Sequence, residues 1–276
     1  MTFQPVVPFG GIVGWQYLRR TMDMQREAFE ASPTLQRDVD YFRQTIGSIT
    51  TAEELVADRR LMTVALGAFG LDEDINNKFF IRKILEEGTL DRTALANRLA
   101  DSRYVAFSEA FGFGNGLLPK TGLSGFAERT TAAFLERQFE IGVGQTDPSM
   151  RLALGFEREI PQIAERETSD ETKWLTVLGN RPLRQVFETA FGLPAAFGTL
   201  DLDRQIETFR DRSERVFGVS DFSDFSDPDV MDAAMRIYFA RSQVQGGASG
   251  SFGTDGASTA LTLLSSASRP SLISLL

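Results

Sequence analysis

Apolar residues recur at intervals of three and four along most of the chain. One stripe runs through Leu35, Val39, Phe42, Ile46 and Ile49, and a later one through Leu202, Ile206, Phe209 and Val216. This spacing places the side chains on one face of an α-helix, where they can be buried together. No window alternates apolar and polar residues with the period of two that is typical of strands. The pattern predicts an all-α, multihelical fold.

Turn and cap residues divide the pattern into separate helices. We expect helices over about 12–31, 72–87, 90–100 and 126–141, among others. Two kinds of helix-start signature occur: a capping box, in which a hydroxyl and a carboxylate each bind a free backbone N–H, and an Asp followed by proline at the first helical position. The sites are Thr50 with Glu53, Thr168 with Glu171, Asp147-Pro148 and Asp227-Pro228.

A segment of the chain occurs twice. Residues 58–71 and 180–193 align without a gap and agree at seven positions, four of them in the tetrapeptide Ala-Phe-Gly-Leu. Glycine after the last apolar residue is typical of a helix end in the left-handed conformation, which predicts that Gly70 and Gly192 each end a helix. The repeat predicts an internally duplicated fold, two related helical halves around a shared core, with Phe69 and Phe191 in equivalent buried positions.

Composition predicts where the ordered body begins and ends. Residues 1–11 contain two prolines and two glycines and are expected to form an extended, mobile N-terminal arm. The duplicated body is expected over 12–244, with a first half at about 34–113, a linker at about 114–125 and a second half at about 168–240. Residues 245–276 form a Gly/Ser/Ala-rich tail that is expected to be flexible. Its apolar end could dock either on this chain or on a partner.

The charged and reactive residues restrict the possible functions. The chain has 29 basic and 38 acidic residues, a formal net charge of −9 and a pI near 4.8, which disfavours nucleic acid as a partner. It has no His and no Cys, which excludes disulfides, imidazole or thiolate metal sites and the Ser-His-Asp and Cys-His nucleophiles. No run is long and apolar enough to span a membrane, and no cleaved signal peptide is visible.

Four groups of residues could carry chemistry, and a structural role explains each of them better. Gly112-x-Gly-x-Gly116 and Gly142-x-Gly144 follow predicted helices, whereas a phosphate-binding loop precedes one. The acidic run 221–229 has the wrong spacing for a calcium loop. Adjacent carboxylates on a helix point in different directions, and the pairs considered are Glu53/Glu54, Glu86/Glu87 and Asp201/Asp203. Arg59, which recurs as Arg181, is expected to pair with an acid of the other half.

We therefore assign no catalytic, cofactor-binding or metal-binding residue, expect no cofactor, and expect that the protein is not an enzyme. An enzyme that uses only carboxylates and arginine remains an alternative.

Several motifs resemble those of a known family. They are Ser32-Pro33, Arg37-Asp38-x-x-Tyr41-Phe42, Thr51-Ala-Glu-Glu-Leu-Val56, Asp58-Arg-Arg-Leu61, Ala65-Leu-Gly-Ala-Phe-Gly-Leu71, Phe80-Ile-Arg-Lys83 and Ala94-Leu-Ala-Asn-Arg-Leu99. With these motifs the chain resembles helical proteins of unknown biochemical activity that are encoded in flagellar gene clusters of alphaproteobacteria. The resemblance implies an all-helical fold and a role in flagellar assembly or motility, and it transfers no catalytic residue.

Besides the hypothesis of an enzyme, the sequence leads to two non-enzymatic hypotheses on function. The first is a non-enzymatic interaction or assembly protein, cytoplasmic and associated with the flagellar base, whose partners are flagellar proteins and which does not insert into a membrane. The second is a structural subunit that is exported to the flagellum without a cleaved signal peptide. The oligomeric state, the partner and the binding surface are not specified by the sequence.

Overall fold

The fold comes from a computed structural model, in which residues 3–116 and 118–249 are described. These residues form thirteen α-helices and no strand, which confirms the predicted all-α class. The first seven are α1 (Gly11–Glu30), α2 (Pro33–Thr45), α3 (Ala52–Ala57), α4 (Arg59–Phe69), α5 (Lys78–Glu87), α6 (Leu95–Arg98) and α7 (Arg103–Phe111). The other six are α8 (Phe126–Thr146), α9 (Pro148–Ala164), α10 (Asp170–Leu178), α11 (Arg181–Phe191), α12 (Leu202–Phe217) and α13 (Pro228–Ser249).

The buried apolar side chains form two clusters, and the prediction of one shared core is wrong. The first cluster is built from α2 to α7 and the beginning of α8, and the second from α1, the end of α8 and α9 to α13. Helix α8 is long enough to take part in both, since Phe134 belongs to the first cluster and Phe139 to the second. It packs against α4 on one side and α9 on the other.

The two copies of the repeated segment adopt the same local structure. Helices α4 and α11 have 11 residues each, and the glycine that follows each is left-handed, with φ of 70° at Gly70 and 66° at Gly192. The next amide N–H binds back to the helix in both, from Leu71 to the carbonyl of Leu66 at 2.9 Å and from Leu193 to that of Glu188 at 2.9 Å. The predicted helix ends are confirmed, including the hydrogen bonds that satisfy the last carbonyls.

The two repeated phenylalanines are not equivalent, so that part of the prediction is wrong. Phe191 is 1% exposed, whereas Phe69 is half-buried. The end of α4 borders a cleft, while the end of α11 is covered by α12, whose Phe209 lies 5.4 Å from Phe191 between ring centroids. Duplication of the complete halves stays a prediction.

Several predicted helix boundaries differ from the structure. The capping box is formed by Thr51 and Glu54, one residue after the predicted pair, and Ser169 rather than Thr168 caps α10. The predicted helix over 72–87 is a 3-10 helix, Asp72–Asn76, followed by α5, and only Leu95–Arg98 is α-helical within 90–100. The Asp-Pro signatures at α9 and α13 are confirmed, since Asp147 and Asp227 accept from the amides of Ser149 and Asp229 at 2.9 Å.

The N-terminal arm is extended but docked, in contrast to the mobility expected for it. Gln25 of α1 accepts a hydrogen bond from the Val6 amide at 2.7 Å and donates to the Val6 carbonyl at 3.1 Å. Val7 is buried in the second cluster. At the other end, α13 continues to Ser249, five residues into the segment assigned to the tail, and the rest of that tail lies outside the described residues.

Candidate binding cleft

A cleft of about 860 Å³ lies between the two clusters. Its walls are α7 with the 3-10 helix Lys120–Gly122 on the side of the first cluster, and α9 with the end of α10 and the start of α11 on the side of the second. Helix α8 forms the floor, because it runs from one cluster to the other. The cleft is therefore a direct result of the division of the core into two parts.

The charge of the cleft is opposite to that of the whole chain. Its charged lining residues are the six cations Arg103, Lys120, Arg129, Arg137, Arg158 and Arg166 and the two acids Glu109 and Glu159. The chain as a whole has a formal net charge of −9. A cleft with low-dielectric walls strengthens the field of the charges that line it. The local potential therefore favours an anionic ligand.

The cations at the floor of the cleft are already paired. Arg137 donates to Glu159 at 2.9 Å and to the carbonyl of Ala68 at 2.9 Å, which ties α8 to α9 and to the end of α4. Arg158 forms ion pairs with Glu159 at 3.0 Å and with Glu140 at 2.7 Å. Paired and hydrogen-bonded charges of this kind can be retained under partial burial. This layer holds the cleft in shape.

Glu159 is the centre of that layer. In addition to the two arginines, it accepts a hydrogen bond from the side-chain amide of Asn180 at 2.7 Å. Asn180 is also the N-cap of α11, since its side-chain oxygen accepts from the amide of Leu183 at 3.4 Å. One carboxylate therefore connects α8, α9 and the start of α11.

Arg103 lies in the opposite wall of the cleft. It binds Asp101 at 2.6 Å and donates to the carbonyl of Gly70.

The pKa values follow from this arrangement. Burial and the charge of Arg158 lower the pKa of the Arg137 guanidinium from its ordinary value, against the opposing effect of Glu159 and Glu140. Burial also acts to lower the pKa of Arg158, but the hydrogen bond and charge of Glu140 and the charge of Glu159 raise it overall. A guanidinium remains protonated at any physiological pH. The cleft thus keeps its positive charge.

Three cations at the rim of the cleft differ from those at the floor. Lys120, Arg129 and Arg166 are exposed, and none of them has a carboxylate within 4.0 Å among the described residues. Lys120 donates to the backbone carbonyl of Glu109 at 2.8 Å. Lys120 lies on the 3-10 helix, Arg129 on α8 and Arg166 in the turn after α9, so their charges border the cleft at separate points. They are the cations that a ligand can reach.

Apolar side chains line the cleft together with these charges. Phe69, Val105 and Ala133 are half-buried in the lining, and Leu123 at the rim is 57% exposed. Phe126 and Ile163 are buried below them, at 5% and 3% exposure. Apolar surface with a few placed charges is typical of a binding site, and the arrangement can recognise a ligand that is both apolar and anionic.

The sequence-predicted candidates lie outside this site, and most of them have structural roles, although Asp201 and Asp203 have none that the structure shows. Gly112 ends α7 in the left-handed conformation, as expected for a loop, but Gly142 and Gly144 lie inside α8 rather than in a loop. In the acidic run, Asp221 accepts from the amide of Ser223 and Asp227 from that of Asp229, so both cap helix starts. Among the described residues, no group of three or more acids is arranged to hold a metal ion.

Contacts within the first half of the chain account for two of the carboxylate pairs and for Arg59. Glu86 and Glu87 pair with Arg82 and Lys83 on the same helix, and Glu54 caps α3. Arg59 donates to the side chain of Asn76 in its own half at 3.1 Å, so the predicted pairing with an acid of the other half is wrong. The reason is that the start of α4 faces the 3-10 helix Asp72–Asn76, which packs against α4.

The cleft was not predicted from the sequence, because its cations are spread along the chain and form no motif. Arg129 and Arg137 both lie on α8, Arg158 lies on α9, and Arg166 lies two residues after the end of α9. That these residues face α7 across a cleft becomes visible only in the fold.

The fold and the cleft define an all-α protein in which one long helix joins two cores. The chain belongs to the family described as Protein of unknown function (DUF1217), whose family model matches residues 68–231. Every residue that lines the cleft falls within that match.

A solved structure is also similar to this chain. It is the X-ray structure of a protein from Agrobacterium tumefaciens, with 26% sequence identity and a TM-score of 0.70, and the similarity covers 88% of this chain and 99% of that one. None of the curated proteins matches the sequence. Within the part of the chain that the structure describes, no helix is both long and apolar enough to cross a membrane.

Proposed function

We propose that this protein is a non-enzymatic interaction protein that holds a segment of a partner protein in the cleft. The observation that carries the proposal is the set of three exposed rim cations, Lys120, Arg129 and Arg166, which have no carboxylate within 4.0 Å among the described residues of a chain with net charge −9. The buried charges pair with one another, and the exposed cations at the rim are available for recognition. Complementary charge increases both the rate and the specificity of association.

We further propose that the partner is a flagellar component and that the protein acts in the cytoplasm, at the flagellar base. The support is the resemblance of motifs such as Asp58-Arg-Arg-Leu61 and Phe80-Ile-Arg-Lys83 to the helical proteins of flagellar gene clusters. In a strain that lacks the gene, we expect fewer or defective flagella and reduced swimming. Normal assembly and swimming would contradict the flagellar part of the proposal.

Capture of the partner tests the use of the cleft. The tagged full chain, its Arg129→Glu/Arg166→Glu variant and an Arg181→Glu control are expressed in the source organism, and bound proteins are quantified by mass spectrometry. Arg181 is also exposed but lies outside the cleft. We expect the wild-type chain and the control to capture the same flagellar component. The double variant should capture at least about tenfold less of it. Equal capture by the double variant would show that another surface binds.

A further inference from the structure

We infer that the cleft takes an acidic, amphipathic α-helix of about two turns. This inference rests on the proposed function and specifies the chemistry of the partner segment. Its first support is size. A helix about 10 Å wide, with 5.4 Å per turn, occupies roughly 420 Å³ per turn. The cleft of about 860 Å³ is therefore large enough for a short helical segment, on the order of two turns.

The second support is the distribution of polar and apolar surface. The apolar lining contributed by Phe69, Val105 and Leu123 shares the cleft with the separate cations on the rim. An amphipathic helix matches this arrangement, because its apolar face can cover these side chains while its flanking carboxylates reach the rim. Tertiary burial of that face would also stabilise a helix too short to form alone.

The third support is the position of the unpaired cations, which argues against a small anion. A small anion is usually held by several donors that converge on one point. Here the donors at the floor, Arg137 and Arg158, are occupied by Glu159 and Glu140. Lys120, Arg129 and Arg166 lie at separate points of the rim, on the 3-10 helix, on α8 and in the turn after α9. A ligand that uses all three must carry several separated negative charges.

The fourth support is the charge of the rest of the chain, which argues against nucleic acid. A phosphate backbone that extended beyond the cleft would meet a chain with 38 acids and 29 bases. A short helix ends within the cleft and avoids this repulsion. Its carboxylates are spaced along the helix and can reach the separate rim charges.

A displayed library of random 16-residue peptides tests the inference before any partner has been identified. The library is selected on the full-length chain and counter-selected on the Arg129→Glu/Arg166→Glu variant. We expect the retained peptides to be rich in Asp and Glu, with apolar residues at i, i+3, i+4 and i+7. Retained peptides that are basic or neutral, or that lack helical spacing, would overturn the inference. It would also be overturned if every selected peptide bound the variant as well as the wild-type chain.

Affinity measurements with one selected peptide complete the test. By fluorescence anisotropy we expect the charge-reversed variant to bind at least about tenfold more weakly than wild type, with Arg129→Lys/Arg166→Lys restoring most of the affinity and Arg181→Glu leaving it unchanged. A proline in the middle of the peptide should also weaken binding to the wild-type chain by about tenfold, because it breaks the helix. Displacement of the bound peptide by citrate would instead assign the cleft to a small anion, and displacement by a short oligonucleotide of matched charge would assign it to nucleic acid. If capture from cells succeeds while the selection fails, the proposed function stands and the helix inference falls.

Discussion

At the scale of single residues, the cleft explains why the two copies of the repeat begin differently. Asp58 caps α4 by accepting from the amides of Arg60 at 2.8 Å and Leu61 at 3.1 Å. Asn180 caps α11 in the same position, and its side-chain N–H also donates to Glu159. An aspartate at this position could not donate that hydrogen bond. It would also place a second negative charge beside Glu159.

An exchange of these two caps gives an asymmetric prediction. Asn and Asp are equally good N-caps, and the new amide could donate to the Tyr41 hydroxyl, which donates to Asp58 in the wild-type chain, so Asp58→Asn should cost about 1 kcal/mol. Asn180→Asp should cost roughly 2 kcal/mol, because a hydrogen bond to a charged group is lost and like charges are brought together. The measurement is the free energy of unfolding in urea at neutral pH. Equal costs for the two substitutions would show that the contact between Asn180 and Glu159 contributes little.

At the scale of helices, the ends of α4 and α11 depend on the same backbone conformation. An L-residue in the left-handed region costs about 1–2 kcal/mol more than glycine. We therefore expect Gly70→Ala and Gly192→Ala each to lower the free energy of unfolding by at least that amount, because an added Cβ would also crowd the guanidinium of Arg137 at Gly70 and that of Arg241 at Gly192. Gly47 is the control, since its φ is not positive and a Cβ there would meet nothing within 4 Å. A loss of stability in Gly47→Ala as large as in the other two would contradict the explanation.

The same helices show how far the sequence could predict the fold. The period of apolar residues from Leu202 to Val216 predicted α12, which ends at Phe217, and the Ala-Phe-Gly-Leu repeat predicted two helix ends correctly. Consecutive threonines followed by consecutive glutamates made the capping box ambiguous by one residue. The inequivalence of Phe69 and Phe191 depends on packing. Gly67 lets the ring of Phe134 on α8 approach α4 closely, whereas the repeat has Thr189 at that position.

At the scale of the whole molecule, α8 determines both the division of the core and the position of the cleft. A period of apolar residues identifies α8 as a helix but does not say that its two ends enter different clusters. The positions of the arginines in the sequence likewise do not say which elements they face. Contacts between residues far apart in the chain, such as that of Arg137 with the Ala68 carbonyl, create the site. This is why the fold class could be predicted and the cleft could not.

Because α8 belongs to both clusters, we expect the two clusters to unfold in one transition. Both tryptophans, Trp15 and Trp174, lie in the second cluster, while Phe134 lies on α8 in the first and is 1% exposed. Phe134→Ala should cost about 3–5 kcal/mol. If the clusters are coupled, the midpoint of urea unfolding should fall by the same amount in tryptophan fluorescence and in far-UV circular dichroism.

An uncoupled molecule would behave differently under the same measurement. The Phe134→Ala variant would then lose part of its helical signal at low urea, while the fluorescence of Trp15 and Trp174 kept its wild-type midpoint. Phe42→Ala provides a comparison, because Phe42 is equally buried in the first cluster but lies on α2. If both substitutions shift the tryptophan midpoint, the coupling reaches beyond α8 itself. The cleft then has a single rigid frame, since any opening of its floor would require the whole molecule to unfold.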